Sequence, residues 1–339
     1  MAELAGHWAA GTPMAETPWL SDAAQAAQRC EEAVALAVQA CAEDTAGQTC
    51  FICLEDGSDE GLVRGCSCRG GNGFAHMSCL AEQARRSHTA ANQRRRWDPD
   101  GFKKSWSLWH TCGQCKQQYH GVVKFALGWV CWKTYVGQPE YLSAMHSLAH
   151  GLYDMGNYED ALTAYKAELF VLQRHGGSEE QILEVQQGVA MTCHALGGHR
   201  RDEGLRMHRD VYHRSLNLFG EENRHTLIEA NNYAATLRDQ QHFEEARSVL
   251  RTMMPVAQRV IGTCYLTLVM KKVYAEALYL DDSATLDDLR EAVTMLEDTE
   301  RTARRVLGSA HPITTGIEHD LRVMRDAVEI AVGVRETPS

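Results

Sequence analysis

Cys50-Phe51-Ile52-Cys53, Cys66-Ser67-Cys68, His76-Met77-Ser78-Cys79 and Cys112-Gly113-Gln114-Cys115 set eight sulfur and nitrogen ligands in a fixed rhythm. The gaps between successive ligands are two, twelve, one, seven, two, thirty-two and two residues. Two cysteines so close in sequence grip one ion from a single tight knuckle, so each close pair reads as half of a zinc site. Four half-sites make two tetrahedral sites. Interleaved pairing is expected, with Cys50, Cys53, His76 and Cys79 on one ion and Cys66, Cys68, Cys112 and Cys115 on the other. All coordination positions are then filled by protein, so these two zinc ions are structural and none of the ligands is catalytic.

A loop-rich segment of this size cannot fold on its apolar area alone. Metal binding has to supply the difference, on the order of 10 kcal/mol per site. The glycines at 65, 70, 71 and 73 permit tight turns around sulfur. Arg64 and Arg69 flank the all-thiolate site and read either as offsetting its charge or as simply solvated at the surface.

The rest of the chain sets the bounds. At 339 residues it has room for two or three domains, and its 44% apolar and 23% charged composition is that of an ordinary soluble protein. A formal charge of −11 argues against nucleic acid as the partner of the whole molecule. No basic stretch leads into an apolar core at the N-terminus, so no signal peptide is read. The longest apolar run, Val122–Val136, is interrupted by Lys124 and Lys133 and is shorter than the roughly 20 residues a bilayer requires. An intracellular protein without a membrane anchor is expected, cytoplasmic or alternatively nuclear, where thiols stay reduced and bind metal rather than form disulfides.

The ligand order (four cysteines, one histidine, three cysteines) resembles the RING-CH, or RINGv, variant of the RING finger, over about residues 48–120. The PHD finger shares the order but not the spacing, and it places a Trp where this chain has His110. Phe51-Ile52, Met77-Ser78 and Leu80 also follow the RING-CH pattern. The resemblance implies a ubiquitin ligase. Such domains dock a ubiquitin-conjugating enzyme and hold its thioester-linked ubiquitin in a reactive pose, so catalysis is positioning rather than covalent chemistry. Carried over by position, Ile52 is the apolar contact to the conjugating enzyme and Lys116 the basic contact to ubiquitin. Two positions depart from the family: Gln83 stands where a Trp is common, and Gly113-Gln114 lack the usual proline.

Before the cluster, Ser21 or Asp22 caps an alanine-rich helix running to Ala42, with Val34, Leu36 and Val38 as its apolar face. Cys30 and Cys41 fall off the ligand rhythm and read as buried small hydrophobes. The insert between Cys79 and Cys112 is basic, with Arg85, Arg86, Arg94, Arg95, Arg96, Lys103 and Lys104 against Glu82, Asp98 and Asp100. It reads as a solvated helix extension with Trp97, Trp106 and Trp109 packed on the zinc core.

From about Tyr141 the chain becomes helical and repetitive. Gly177, Gly220, Gly262 and Gly308 recur at intervals of 43, 42 and 46, and Gly156-Asn157-Tyr158 returns as Gln241-His242-Phe243 after 85 residues. Two helices per period of about 42 mark an α-solenoid. Leu307-Gly308, His311-Pro312 and Thr314 resemble the turn of kinesin-light-chain-type tetratricopeptide repeats, which implies peptide binding along one face. By that resemblance Asn231 and Asn232 hydrogen-bond a peptide backbone. Alanines 149, 161, 190, 234 and 246 let helices approach, and Leu152, Tyr158, Leu162, Tyr233, Phe243 and Leu250 fill the gaps.

The expected protein is mainly α: an N-terminal segment at 1–47, a cross-brace RING-CH zinc finger at 48–121, a connecting helix at 122–139, a TPR-like α-solenoid at 140–333 and a tail. The leading function is a ubiquitin ligase whose partners are a conjugating enzyme, ubiquitin and a substrate protein or peptide. The alternatives are a non-enzymatic zinc-binding adaptor and a PHD-like reader of histone tails.

Overall fold

The computed structural model describes residues 22–94 and 105–336. Trp8, Trp19 and Ser21, and in the basic insert Arg95, Arg96, Trp97, Asp98, Asp100, Lys103 and Lys104, lie outside the described residues. The chain divides into two units, Met1–Thr192 and Cys193–Ser339. The class is mainly α. Among the described residues, extended pairing is limited to three isolated bridges, all within the zinc module.

In the first unit, helix α1 (Ala23–Thr45) starts where Asp22 accepts the Ala24 N–H at 2.8 Å. Its buried stripe is made of small residues, Ala26, Cys30, Ala33, Ala37 and Cys41, at helical spacing. Leu36 instead points outward and is 43% exposed. The expected Val34–Leu36–Val38 face therefore packs only in part: Val34 and Val38 are half-buried beside the stripe, with Val38 against Gly61, and Leu36 is turned out.

Helix α2 (Met77–Arg94) and a short 3-10 turn (Ser107–Trp109) follow, and then α3 (Gly121–Tyr135). The stretch read as a connection is core: Val123, Leu127, Trp129, Cys131 and Trp132 of α3 are all buried. Helix α3 packs against α1 on one side and α4 (Tyr141–Asp154) on the other. The zinc module is thus inserted between the two members of a helix pair. Helices α3 and α4 approach closely through glycine on each side. A Cβ at Gly128 would lie 3.0 Å from the Ser147 carbonyl oxygen, and one at Gly151 would lie 3.0 Å from Phe125 Cα. Trp109 is buried as expected, but against Trp106, Tyr135 of α3 and, through these, His88 of α2. The aromatic cluster ties the insert to α3.

Helices α5 (Tyr158–His175) and α6 (Glu179–Leu196) continue the repeats, with α6 crossing into the second unit. The second unit continues with α7 (His199–Phe219), α8 (Arg224–Asp239), α9 (Phe243–Ile261), α10 (Tyr265–Tyr279), α11 (Leu286–Val306) and α12 (Pro312–Glu336). From α7 onward each helix packs on the next, and α8 also meets α10 as α10 meets α12. That pattern is a stack of helix-turn-helix pairs, with the first helix of each pair facing the first helix of the next. Its core includes Tyr233, Leu250, Met270, Leu278, Leu296 and Met324.

The 85-residue echo in the sequence is an echo in backbone. Gly156 and Gln241 both adopt left-handed φ, +77° and +63°. In each turn the next residue closes back on the helix just ended, Asn157 N–H to Leu152 O at 2.9 Å and His242 N–H to Leu237 O at 2.8 Å. The five alanines and four of the six large residues are buried as expected. Tyr158 and Phe243, each the first residue of its helix, are only half-buried at the rim. Gly220, Gly262 and Gly308 have positive φ, whereas at the first turn Gly176, rather than Gly177, takes the left-handed position at +75°. The acidic connection formed by Asp281, Asp282, Asp287 and Asp288 ends in a capping device: Thr285 and Asp288 form a reciprocal capping box at the start of α11. Cys131 and Cys193 are buried, whereas Cys264, which its isolation in the sequence also marks for burial, is half-exposed at the N-cap of α10.

The two equivalent turns give a paired test. A Cβ at Gly156 would meet nothing within 4 Å, so only backbone conformation is at stake there. Gln241→Gly is expected to stabilise the second unit by about 0.5–1 kcal/mol, and Gly156→Ala to destabilise the first by about 1 kcal/mol, read from urea midpoints.

Candidate metal centre

Each zinc knuckle is built by the same local geometry. Cys50 N–H donates to the Glu55 carbonyl at 2.8 Å and Leu54 N–H to the Cys50 carbonyl at 2.9 Å; Cys112 to Gln117 and Lys116 to Cys112 repeat this at 2.9 and 3.0 Å. Ile52 N–H and Gln114 N–H lie 3.4 Å from the first sulfur of their knuckles. In both, the residue after the second cysteine is left-handed, Leu54 at φ +67° and Lys116 at +59°. Isolated bridges, Thr49 with Asp56 and Thr111 with Gln118, close each loop at matching positions. Neither knuckle needs glycine at the left-handed position. At Gly73 (φ +85°) glycine is required, since a Cβ would lie 2.5 Å from Cys68 Cβ and 3.1 Å from Cys66 Sγ.

The ligand atoms gather in the expected interleaved sets. Cys50, Cys53, His76 and Cys79 form one group and Cys66, Cys68, Cys112 and Cys115 the other, with all ligand atoms of each within 4.8 Å of one another. Zn–S bonds of about 2.3 Å would place two thiolates of one tetrahedron about 3.8 Å apart, and a thiolate and an imidazole nitrogen slightly closer. The spacings fit: Cys68 to Cys112 is 3.7 Å, Cys79 to His76 Nδ1 3.7 Å and Cys53 to His76 Nδ1 3.3 Å. His76 Nε2–H donates to the Asp56 carbonyl at 2.7 Å, which leaves Nδ1 as the metal-facing nitrogen. The residues present therefore fit two zinc ions.

Electrostatics point the same way. The Cys66 thiol hydrogen-bonds Cys112 and, against burial, brings its pKa down to about 5. Burial pushes Cys50 up, but the backbone N–H donors around it outweigh this and leave it at about 7. Burial and neighbouring thiolate charge push Cys68 and Cys79 up to about 12. Without a dication Cys68 and Cys79 hold their protons, so metal binding must release protons.

The module is fastened to the helix pair that flanks it. Arg64 makes a two-pronged ion pair with Asp44 at the end of α1, at 2.8 and 2.6 Å, and donates to the Gly70 carbonyl at 2.9 Å. Its guanidinium also covers the Phe74 ring at 4.3 Å. This corrects the reading of Arg64 as counter-charge to the all-thiolate site: Asp44 takes it. His120 N–H donates to the Gly65 carbonyl at 2.9 Å, and a Cβ at Gly65 would lie 2.5 Å from Val123 Cβ of α3. Glu60 reaches from the first loop to the start of α2, accepting the Ser78 N–H at 2.8 Å and the Ser78 hydroxyl.

Ile52 is half-buried. The neighbouring Leu54 is 76% exposed and was not singled out by the sequence; its position directly after Cys53 was the only available signal. Gln83 of α2 lies against the second knuckle, its Oε1 3.3 Å from where a Gly113 Cβ would stand. The two positions that depart from the RING-CH pattern are thus neighbours. The Lys116 ammonium folds back onto the Gly113 carbonyl of its own knuckle. In the second unit, Asn231 is buried with no partner for Oδ1, and Asn232 is half-buried with none for Nδ2.

Comparison with known proteins agrees with this anatomy. Residues 50–93 match the RING-variant domain, RINGv, and residues 142–167 match a tetratricopeptide repeat. The RINGv match ends before Cys112 and Cys115, so the fourth ligand pair rests on geometry. Two crystal structures of the nearly identical TPR-like repeats of a kinesin light chain from Podosopora anserina, one of them a point variant, are 18% identical to this chain. The match to the variant covers 58% of this chain and 91% of its own, and the match to the other 59% and 92%, both with a TM-score of 0.46. A search of curated proteins returns no match. Among the described residues no helix is long and apolar enough to cross a membrane.

Reduced, purified protein is expected to contain two zinc ions per chain by elemental analysis, and Cys112→Ser to retain one. Acidification toward about pH 5 releases both as the ligands are reprotonated.

Proposed function

We propose that this chain is a RING-type ubiquitin ligase: its zinc module docks a ubiquitin-conjugating enzyme, and its repeats hold the protein to be modified. The observation that carries the reading is the pair of matched knuckles, which hold Ile52 and Leu54 beside one metal group and Gln83 and Gly113 beside the other. Rigid loops flanking a helix are what a docking surface for a folded partner requires, because little ordering entropy is then lost on binding. Leu54 supports it further, as a large apolar side chain held outward at a left-handed position with no packing role.

The zinc ions do no chemistry in this scheme. Every ligand position is filled by a side chain, so no water is activated, and the chain contributes orientation of the thioester bound to its partner. Asn231 and Asn232 are the candidate backbone contacts to a bound peptide. Asn231 has an unpaired buried oxygen, a group that costs about 1–3 kcal/mol when left unsatisfied and that a ligand can repay. An intracellular site of action accords with a module that depends on reduced thiols.

A non-enzymatic adaptor is the second reading, and two contacts favour it. The Gln83 amide occupies the space against Gly113 where a large apolar contact would serve a docked enzyme, and Lys116 is turned inward onto its own knuckle.

Autoubiquitination assays with a broad panel of purified conjugating enzymes separate the two. The ligase reading expects ubiquitin chains with at least one of them, and a drop of about tenfold or more in Ile52→Ala and in Leu54→Ala with both zinc ions retained. Silence across the panel from protein with full zinc content would establish the adaptor instead.

A further inference from the structure

The first helices of the pairs in the second unit, α8, α10 and α12, are joined by a ladder of alternating charge. His194, in the last turn of α6, donates through Nε2 to Asp239 at 3.0 Å. Asp239 pairs with Arg238 at 2.6 Å, and Arg238 crosses to Glu276 of α10. Glu276 also takes Lys272, one turn back on the same helix, and Lys272 crosses to Asp320 of α12 at 2.8 Å. Both cations are spanned by carboxylates on two sides. Burial pushes the Lys272 ammonium down, but Glu276 and Asp320 more than offset this and leave its pKa above the ordinary value. Arg238 is likewise held charged by Glu276 and Asp239 against burial.

The ladder has an uneven charge and an uneven exposure. Three carboxylates (Asp239, Glu276 and Asp320) face two cations (Arg238 and Lys272), which leaves one negative charge in surplus. The most exposed charged side chain is Asp239, at 39%, whereas Arg238 and Lys272 are 16% and 19% exposed. A ligand approaching this face therefore meets a carboxylate first. An acidic ligand would have to pull Arg238 or Lys272 from partly buried partners, whereas a basic one shares the exposed Asp239 carboxylate with Arg238 and His194. Four of the five half-exposed residues of α10, Val269, Lys272, Glu276 and Tyr279, form a single stripe, so a tyrosine ring lies one turn beyond Glu276. The fifth, Lys271, is turned to Asp298 of α11. Arg224, the next cation on the corresponding stripe of α8, is fourteen residues or about 21 Å away along the helix.

We infer that this face receives an extended peptide that places a lysine or arginine side chain at the Asp239 end of the ladder. The inference rests on the reading of the repeats as the substrate-binding part and adds the charge of what they select.

The test pans the full-length, zinc-loaded protein against a phage-displayed library of random decapeptides and sequences the enriched clones. Enrichment of Lys and Arg over the input library is expected. Asp239→Asn should weaken the selected peptides about fivefold, and Asp239→Lys should abolish their binding. Glu244→Gln, on the second helix of its pair, should bind them as the wild type does. Their affinity for the wild type should also fall from low salt to about 0.5 M salt as charge is screened, a readout that needs no variant to fold. Enriched peptides that are acidic or without charge bias, yet lose binding in Asn232→Ala, overturn the inference and leave the peptide-binding reading standing. A library that yields no enriched peptide overturns both.

Discussion

Tetrahedral coordination by side chains distant in sequence is the constraint on which the first unit depends. Residues 46–120 leave the end of α1 and must return to the start of α3, and those two helices pack on one another. Closing a loop of that length costs chain entropy, and the insert between them contains little apolar core. Interleaving converts the cost into something two ions can meet. Each metal group takes ligands from non-adjacent pairs, so neither loop can relax without opening a site. Ser78 and Cys79 begin α2 beside the first group, and Thr111 and Cys112 follow the 3-10 turn beside the second, so the metals also set where these elements start.

The attachments to the flanking helices follow from the same closure. Arg64 stands two residues before Cys66 and forms its ion pair with the last turn of α1. Gly65, next in sequence, accepts from His120 and abuts Val123 at the first turn of α3. Three consecutive positions therefore bind the metal group, one helix and the other. Small residues let this work: the alanine and cysteine stripe of α1 and the paired Gly128 and Gly151 bring backbones together where a larger side chain would hold them apart. The module is braced from two sides, by the last turn of α1 and the first turn of α3.

Much of this was legible in the sequence because it is written in spacing. The eight ligands, the Asp22 cap and the 85-residue echo each depend on residues close together or on a repeated offset, and all three hold in the coordinates. What spacing cannot carry was missed. Helix α3 is apolar nearly all round because it is covered by α1 and α4, so it has no amphipathic period to announce it as core. Arg64 has two candidate roles by sequence, and only the tertiary position of Asp44, twenty residues earlier, decides between them. Leu36 resembles its valine neighbours in hydropathy, yet the interface accepts alanine and cysteine and turns leucine out. The charge ladder was invisible for the same reason: its five charged members lie on three helices.

The two units are held together by different physics, and this bears on how they respond to conditions. The second has an apolar core of its own, running from Tyr212 to Met324, and its ion pairs bridge helices already packed. It contains no metal group among the described residues, so loss of zinc removes nothing from its interior. The first unit's metal groups stand outside its helical core, but the segment between α1 and α3 owes its path to them. Chelation or acid therefore acts first on the zinc module, and salt acts first on the charged face of α8, α10 and α12. The zinc module and the charged face thus answer to different conditions. Each can be weakened without unfolding the other.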